Sequence, residues 1–173
     1  MPEPDAVDRV IAQWRRERPD LDLAAMATIG RLGRLAALAR PLVEAGLAPH
    51  GLTTGEFDVL AALRRAGEPF TLTPTVLART LVLSPAAMTH RLDRLEAAGA
   101  VTRELDRGNR RSVPVTLTPE GRARVDAAVT DHVATEERLL AALSRPDRDL
   151  LDDLLRRLLA GLPGPPDRPG QPG

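Results

Sequence analysis

Residues able to do covalent or acid–base chemistry are scarce in this chain. There is no Cys, no Lys and no Tyr, and the histidines are three, His50, His90 and His132, far apart in sequence. No two of them stand at metal-ligand spacing, so neither a metal nor a cofactor is expected. Without lysine there is no phosphate-loop lysine and no Schiff base. No nucleophile lies beside a base, and the chain does not read as an enzyme. What it has is arginine, which supplies all 24 of its basic residues. A guanidinium is a planar fork that matches phosphate oxygens or the edge of a guanine. Two segments concentrate it: Thr89-His90-Arg91 with Arg94, and Arg107 with Arg110 and Arg111. The chemistry on offer is non-covalent recognition of a polyanion.

Helices dominate the elements that must position these groups. The 173 residues include 28 Leu and 26 Ala but three aromatics, Trp14, Phe57 and Phe70. An aliphatic core of helix formers follows, and a base-stacking sheet for RNA or single strands is excluded. Val7, Val10, Ile11 and Trp14 predict a helix over 5–18, interrupted by Pro19. A second runs from Leu21 to the Ala48-Pro49-His50-Gly51 break, with Pro41 expected to kink or shorten it. Thr53 and Glu56 have capping-box spacing ahead of a helix that turns Phe57, Leu60 and Leu63 inward. Thr73-Pro74 and Ser84-Pro85 each pair a cap with a first-turn proline, opening helices to about Leu81 and Gly99. Two short helices on a tight turn make a helix-turn-helix. The period then changes to two over Val101–Leu105 and Ser112–Leu117, which predicts a hairpin, with Pro114 placing its strand at an edge or a bulge. Thr118-Pro119 starts a helix to about Leu143, and Ser144 starts the last, whose leucines from Leu150 to Leu162 form a broad stripe. The Pro- and Gly-rich 163–173 reads as a disordered tail.

On the Ser84–Ala98 helix, Met88, Leu92 and Leu95 share one face, and Ala86, His90, Asp93 and Arg94 lie opposite. Ser84, Ala87, Thr89 and Arg91 sit at its leading end or edges. Small residues there allow close approach to a major groove, and Ser84 with the free first-turn N–H groups offers a phosphate site. His90 and Arg94 are placed to reach base edges, with Arg91 an alternative reader or a phosphate contact. Arg107, Arg110 and Arg111 at the hairpin tip suit a minor groove. Segment 71–117 holds seven Arg against four acids, a charge of +3, while the chain as a whole sums to zero. The alternatives are a plain amphipathic helix with a solvated face and a solvated turn.

The run from Leu81 to Glu120, with SPAAMTHRLDRLEAAGAV, NRRSV and VTLTPEGR, resembles the MarR (multiple antibiotic resistance regulator) family of winged-helix repressors, over about residues 23–161. Arg111 matches the family's wing arginine, but Asn109 stands where the family usually has the Asp that supports it. DRVIAQWRRERPDLD, GEFDVLAALRRAG and LTPTVLARTL are similar to the PecS-like, urate-responsive branch. That resemblance implies a ligand site using Trp14, Asp58 and, by ungapped matching, Arg103. A buried Asp58–Arg103 pair would tie it to the wing. Otherwise Trp14 is a packing anchor and Asp58 a helix-surface group.

The resulting expectation is a mainly α chain with a small β-hairpin, a winged helix-turn-helix whose N- and C-terminal helices form a dimerisation region. Its parts are an extra N-terminal helix (1–19), a dimerisation helix (20–52), the DNA-binding lobe (53–117), C-terminal dimerisation helices (118–162) and the tail (163–173). The implied function is a homodimeric, sequence-specific regulator of double-stranded DNA, a repressor acting at a pseudo-palindromic operator and released by a small anionic aromatic, urate-like ligand. The alternative is a winged-helix protein-interaction module. No leader and no span-length apolar run is present, so a cytoplasmic protein without membrane contact is expected.

Overall fold

Why each helix starts where it does is mostly a matter of one side chain. In the computed structural model, which describes residues 3–104 and 113–163, Asp5, Thr53, Thr73, Ser84, Thr118 and Ser144 each cap a helix by accepting a first-turn N–H. The chain divides into two units, Met1–Ala45 and Gly46–Gly173.

In the first unit, α1 (Ala6–Glu17) opens with a capping box between Asp5 and Asp8. Its Val7 and Ile11 pack with Leu23 and Ala27, and Arg31 bridges to Asp5 at 2.8 Å and to Asp8 at 2.5 Å. Trp14 is 43% exposed. Helix α2 (Ala24–Leu47) continues past Pro41 instead of shortening there. A proline deletes one donor and crowds one carbonyl, and the Ala- and Leu-rich flanks carry the helix on.

The second unit takes in the end of α2, then a 3-10 turn, Ala48–His50, and α3 (Thr54–Arg65), whose Phe57, Leu60 and Leu63 are all buried as the sequence predicts. Strand β1 (Thr71–Leu72), α4 (Pro74–Thr80) and α5 (Pro85–Ala97) follow, then β2 (Val101–Arg103), β3 (Val115–Leu117), α6 (Pro119–Leu139) and α7 (Arg145–Ala160). Leu77, Met88, Leu92, Leu95, Val101 and Val125 lie at the centre of this unit's core.

Three expectations change. The hairpin is part of a three-stranded antiparallel sheet ordered β1-β3-β2, with Thr71 opposite Thr116 and Val101 opposite Leu117. Strand β3 is therefore central, and it begins one residue after Pro114, so the missing donor stays outside the ladder. Helix α6 ends at Leu139, four residues short of the predicted limit. The tip residues Arg107, Asn109, Arg110 and Arg111 and tail residues 164–173 lie outside the described residues.

Candidate nucleic-acid interface

Helices α4 and α5 are joined by a turn in which Val82 takes φ +53°, a conformation that costs a β-branched residue energy and sharpens the reversal. Met88, Leu92 and Leu95 seat α5 on the core, each at most 1% exposed. Ala86, Thr89, His90, Asp93 and Arg94 face outward, and Ser84, Ala87 and Arg91 are half-buried. The surface expected from the sequence is thus assembled on one helix face.

Its leading end differs from the expectation of several free donors. Pro85 has no N–H, the Ala87 N–H goes to Ser84 Oγ at 3.2 Å, and the Met88 N–H goes to the Ser84 carbonyl at 3.0 Å. Among the described residues, Ala86 keeps the one amide of the helical first turn without an acceptor. The Thr89 hydroxyl is turned back onto the Pro85 carbonyl at 3.0 Å.

The arginines have distinct partners. Arg91 lies against the start of α3, where its Nη1 donates to the Gly55 carbonyl at 3.4 Å. A Cβ on Gly55 would stand 2.4 Å from that guanidinium carbon, so glycine makes the approach possible. Arg94 pairs through Nε with Glu56 Oε1 at 2.8 Å. Glu56 is 5% exposed, and its Oε2 accepts from the Thr53 N–H at 2.9 Å and the Thr53 hydroxyl at 2.7 Å. Burial alone would raise its carboxyl, but those hydrogen bonds and the Arg94 charge carry it below the ordinary glutamate value. Capping-box spacing announced Glu56 as a cap; nothing local announced its arginine.

Arg103 corrects the expected Asp58–Arg103 pair. It pairs with Glu96 at 2.5 Å and Asp93 at 2.7 Å, both on α5, and Glu96 also takes its backbone N–H. The reason is chain geometry: β2 leaves α5 through the Gly99 turn (φ +70°), which sets Arg103 beside the end of that helix. The pairing offsets one of the two negative charges that would otherwise repel a phosphate backbone.

Asp58 sits instead among Arg91, His132 and Arg65. Burial pushes its carboxyl above the ordinary aspartate value, and these three neighbours pull it only partly back. His132, on α6, packs tilted against Phe57 with ring centroids 4.7 Å apart and reaches Glu136 at 3.1 Å. A raised carboxyl costs stability above its folded-state pKa, and the cost vanishes below the unfolded one. Asp58→Asn is therefore expected to raise the melting temperature at pH 7, with the gain shrinking as pH falls toward 4. A gain independent of pH, by circular dichroism melts, would refute this assignment. Trp14 belongs to the first unit, Asp58 and Arg103 to the second.

Among the described residues no cluster of three or more metal-ligating side chains occurs, and no helix is long and apolar enough to cross a membrane.

The MarR family model matches residues 50–112. The HTH-type transcriptional regulator PecS of Dickeya dadantii is 39% identical over 152 residues, 88% of this chain and 92% of that protein. A Cys-to-Ser mutant of E. coli MarR, solved in complex with operator DNA, superposes with a TM-score of 0.69 at 27% identity, covering 79% of this chain and 97% of that one. The Mycobacterium tuberculosis MarR family protein Rv2887, solved with p-aminosalicylic acid, gives a TM-score of 0.60 at 38% identity, covering 73% and 94%. With helix-turn-helix, three-stranded sheet and flanking helices in place, the chain belongs to the MarR family.

Proposed function

We propose that this protein is a homodimeric transcriptional repressor that binds double-stranded DNA at a pseudo-palindromic operator and is released by a small anionic aromatic ligand. The observation that carries the reading is α5: a capped helix with small and hydrogen-bonding residues outward and its two acids held by Arg103, which offsets half of their charge. One such helix per subunit, in a twofold dimer, addresses half-sites about one DNA turn apart. Exposed leucines on α2 (Leu35, Leu38, Leu42) and on α7 (Leu150, Leu154, Leu158) supply faces for a second copy. In this reading 20–52 and 118–162 dimerise, and 53–117 binds DNA, with Ser84, Ala86, Ala87 and Arg91 at the backbone, Thr89, His90 and Arg94 at base edges, and Arg107, Arg110 and Arg111 on a minor groove. A relative bound to operator DNA and another bound to p-aminosalicylic acid support the two halves of the proposal. Trp14, Asp58 and Arg103 are the ligand candidates, and Asp58 is favoured by its stored electrostatic cost.

The test is fluorescence anisotropy on the DNA flanking the gene, with urate titrated into the complex. Salt-sensitive binding reversed by urate supports both halves, and binding that ignores urate discards the ligand. No duplex binding at low salt overturns the reading in favour of a protein-interaction module, which zero net charge favours.

The contacts separate by type. Arg111→Ala is expected to weaken all duplexes alike and to lower the salt slope by about 1, the signature of one lost phosphate contact. His90→Ala is expected to relax base preference at one position by about 1–3 kcal/mol. Uniform weakening by both variants would remove His90 from the base-reading set.

A further inference from the structure

Glu56 makes more contacts than a helix cap requires. Thr53 already caps α3 with its own hydroxyl, which accepts the Glu56 N–H at 3.3 Å. The return bonds from the Thr53 N–H and hydroxyl occupy Oε2, and a neutral Gln would serve for them. The full negative charge, at 5% exposure, is needed by a different partner: Oε1 faces the Nε of Arg94 at 2.8 Å, on another helix. Burying a carboxylate is costly unless a cation answers it, so this pair is mutually held.

The two ends of the pair have opposite surroundings. The Glu56 side chain is 7% exposed and fixed in the core, while the Arg94 side chain is 58% exposed on the outer face of α5. An arginine that exposed samples many rotamers when nothing holds it. Here the Nε side of the fork is held by an ion pair, which leaves the two Nη groups for an outside partner. Among the described residues Arg94 has no other ion-pair partner. Two parallel N–H donors are the complement of guanine O6 and N7 in the major groove.

We propose that Glu56 is a specificity-determining positioning residue, a buried strut that aims the Arg94 fork at a guanine edge. This rests on the DNA-binding reading above. The strut also sets a sign that a cap would not. Glu56 cancels part of the Arg94 charge, so it favours discrimination at the expense of general attraction to phosphate.

The experiment starts by selecting a preferred duplex from a randomised 24-base-pair pool with the wild-type protein. Anisotropy then gives affinities for that duplex and its single-pair substitutions. Glu56→Gln, Arg94→Ala and the double variant are expected to lose about tenfold discrimination at the same base pair, the double no more than either single. Affinity of Glu56→Gln for unrelated duplex is expected to hold or rise, with a steeper salt slope. Arg94→Lys, a surface change that keeps the charge, is expected to retain affinity but lose the preference, which keeps the idea testable if the Glu56 variant folds poorly. Thr53→Ala, which removes the cap hydroxyl, is expected to lower the melting temperature with the base profile unchanged. Full discrimination in Glu56→Gln, or the same flattening in Thr53→Ala, overturns the strut. A wild-type protein that enriches no sequence and binds no duplex overturns the DNA-binding reading itself, a different result.

Discussion

Gly121→Ala is expected to unfold roughly 10 °C below the wild type in a circular dichroism melt. In most helices that substitution is neutral or stabilising, because alanine is the better helix former by about 1 kcal/mol. Here the sign reverses. A Cβ on Gly121 would lie 2.0 Å from the Ala100 carbonyl oxygen and 2.8 Å from its carbon. Both are backbone atoms, so no rotamer change relieves the overlap. Ala100 is fully buried and its carbonyl accepts the Thr118 N–H at 3.1 Å, while the Thr118 hydroxyl donates to Gly99 O at 2.7 Å. Relief must separate the start of α6 from the turn before β2, which breaks those bonds and opens the packing. Overpacking against backbone costs about 3 kcal/mol. Gly33, with nothing within 4 Å of its Cβ position, is the control, and Gly33→Ala should not lower the melting point. Equal effects from the two substitutions would mean that the close approach does not exist in solution.

Replacing Leu154 and Leu158 together by Arg is expected to give a folded monomer whose affinity for a two-half-site duplex falls at least about a hundredfold. Helix α7 buries no residue within its own chain, with Leu154 43% and Leu158 50% exposed, and Leu150 and Leu159 more so. A leucine withdrawn fully from water contributes about 2 kcal/mol, so a stripe of them is a strong drive for self-association. Two arginines in that stripe remove the apolar surface and set like charges against the partner copy. The DNA penalty follows because each half-site then binds alone, without the effective concentration that linkage to the other provides. Sedimentation gives the mass and anisotropy the affinity. A variant that remains dimeric, or a monomer that binds as the wild type does, would move the dimer contact away from α7.

The helix starts were legible because they are local. A Ser or Thr followed within two residues by Pro specifies a cap whatever lies elsewhere, and Thr73, Ser84, Thr118 and Ser144 all cap where the sequence places them. The buried face of α5 was legible for a similar reason, since a period of 3.6 needs nothing beyond its own helix. Strand β1 was not, because Thr71-Leu72 is too short to show a period and exists through its pairing with β3. Nor were the partners of the arginines. Arg94 and Glu56 are 38 positions apart and meet through the packing of α3 on α5, a separation no spacing rule covers. Arg103 was matched with Asp58 by resemblance, yet the tight turn at Gly99 delivers it to Glu96. Phe70 and Val82, at φ +57° and +53°, adopt a region their residue types avoid, so the sequence argues against the observed backbone there.

The junction at Gly121 has a mechanical consequence. Helix α6 spans 21 residues, about 32 Å, and its first turn is pinned to Ala100 without a side chain between to act as a cushion. Strand β2 starts at the next residue, and Arg103 at its end grips Asp93 and Glu96 of α5. Long helix, sheet root and outward-facing helix are thereby linked by direct backbone contact and ion pairs. A tilt of about 5° at the pinned end sweeps the far end through about 3 Å. Run in reverse, a small displacement imposed at the distal turns of α6 is expected to reach α5 through Ala100 and Arg103.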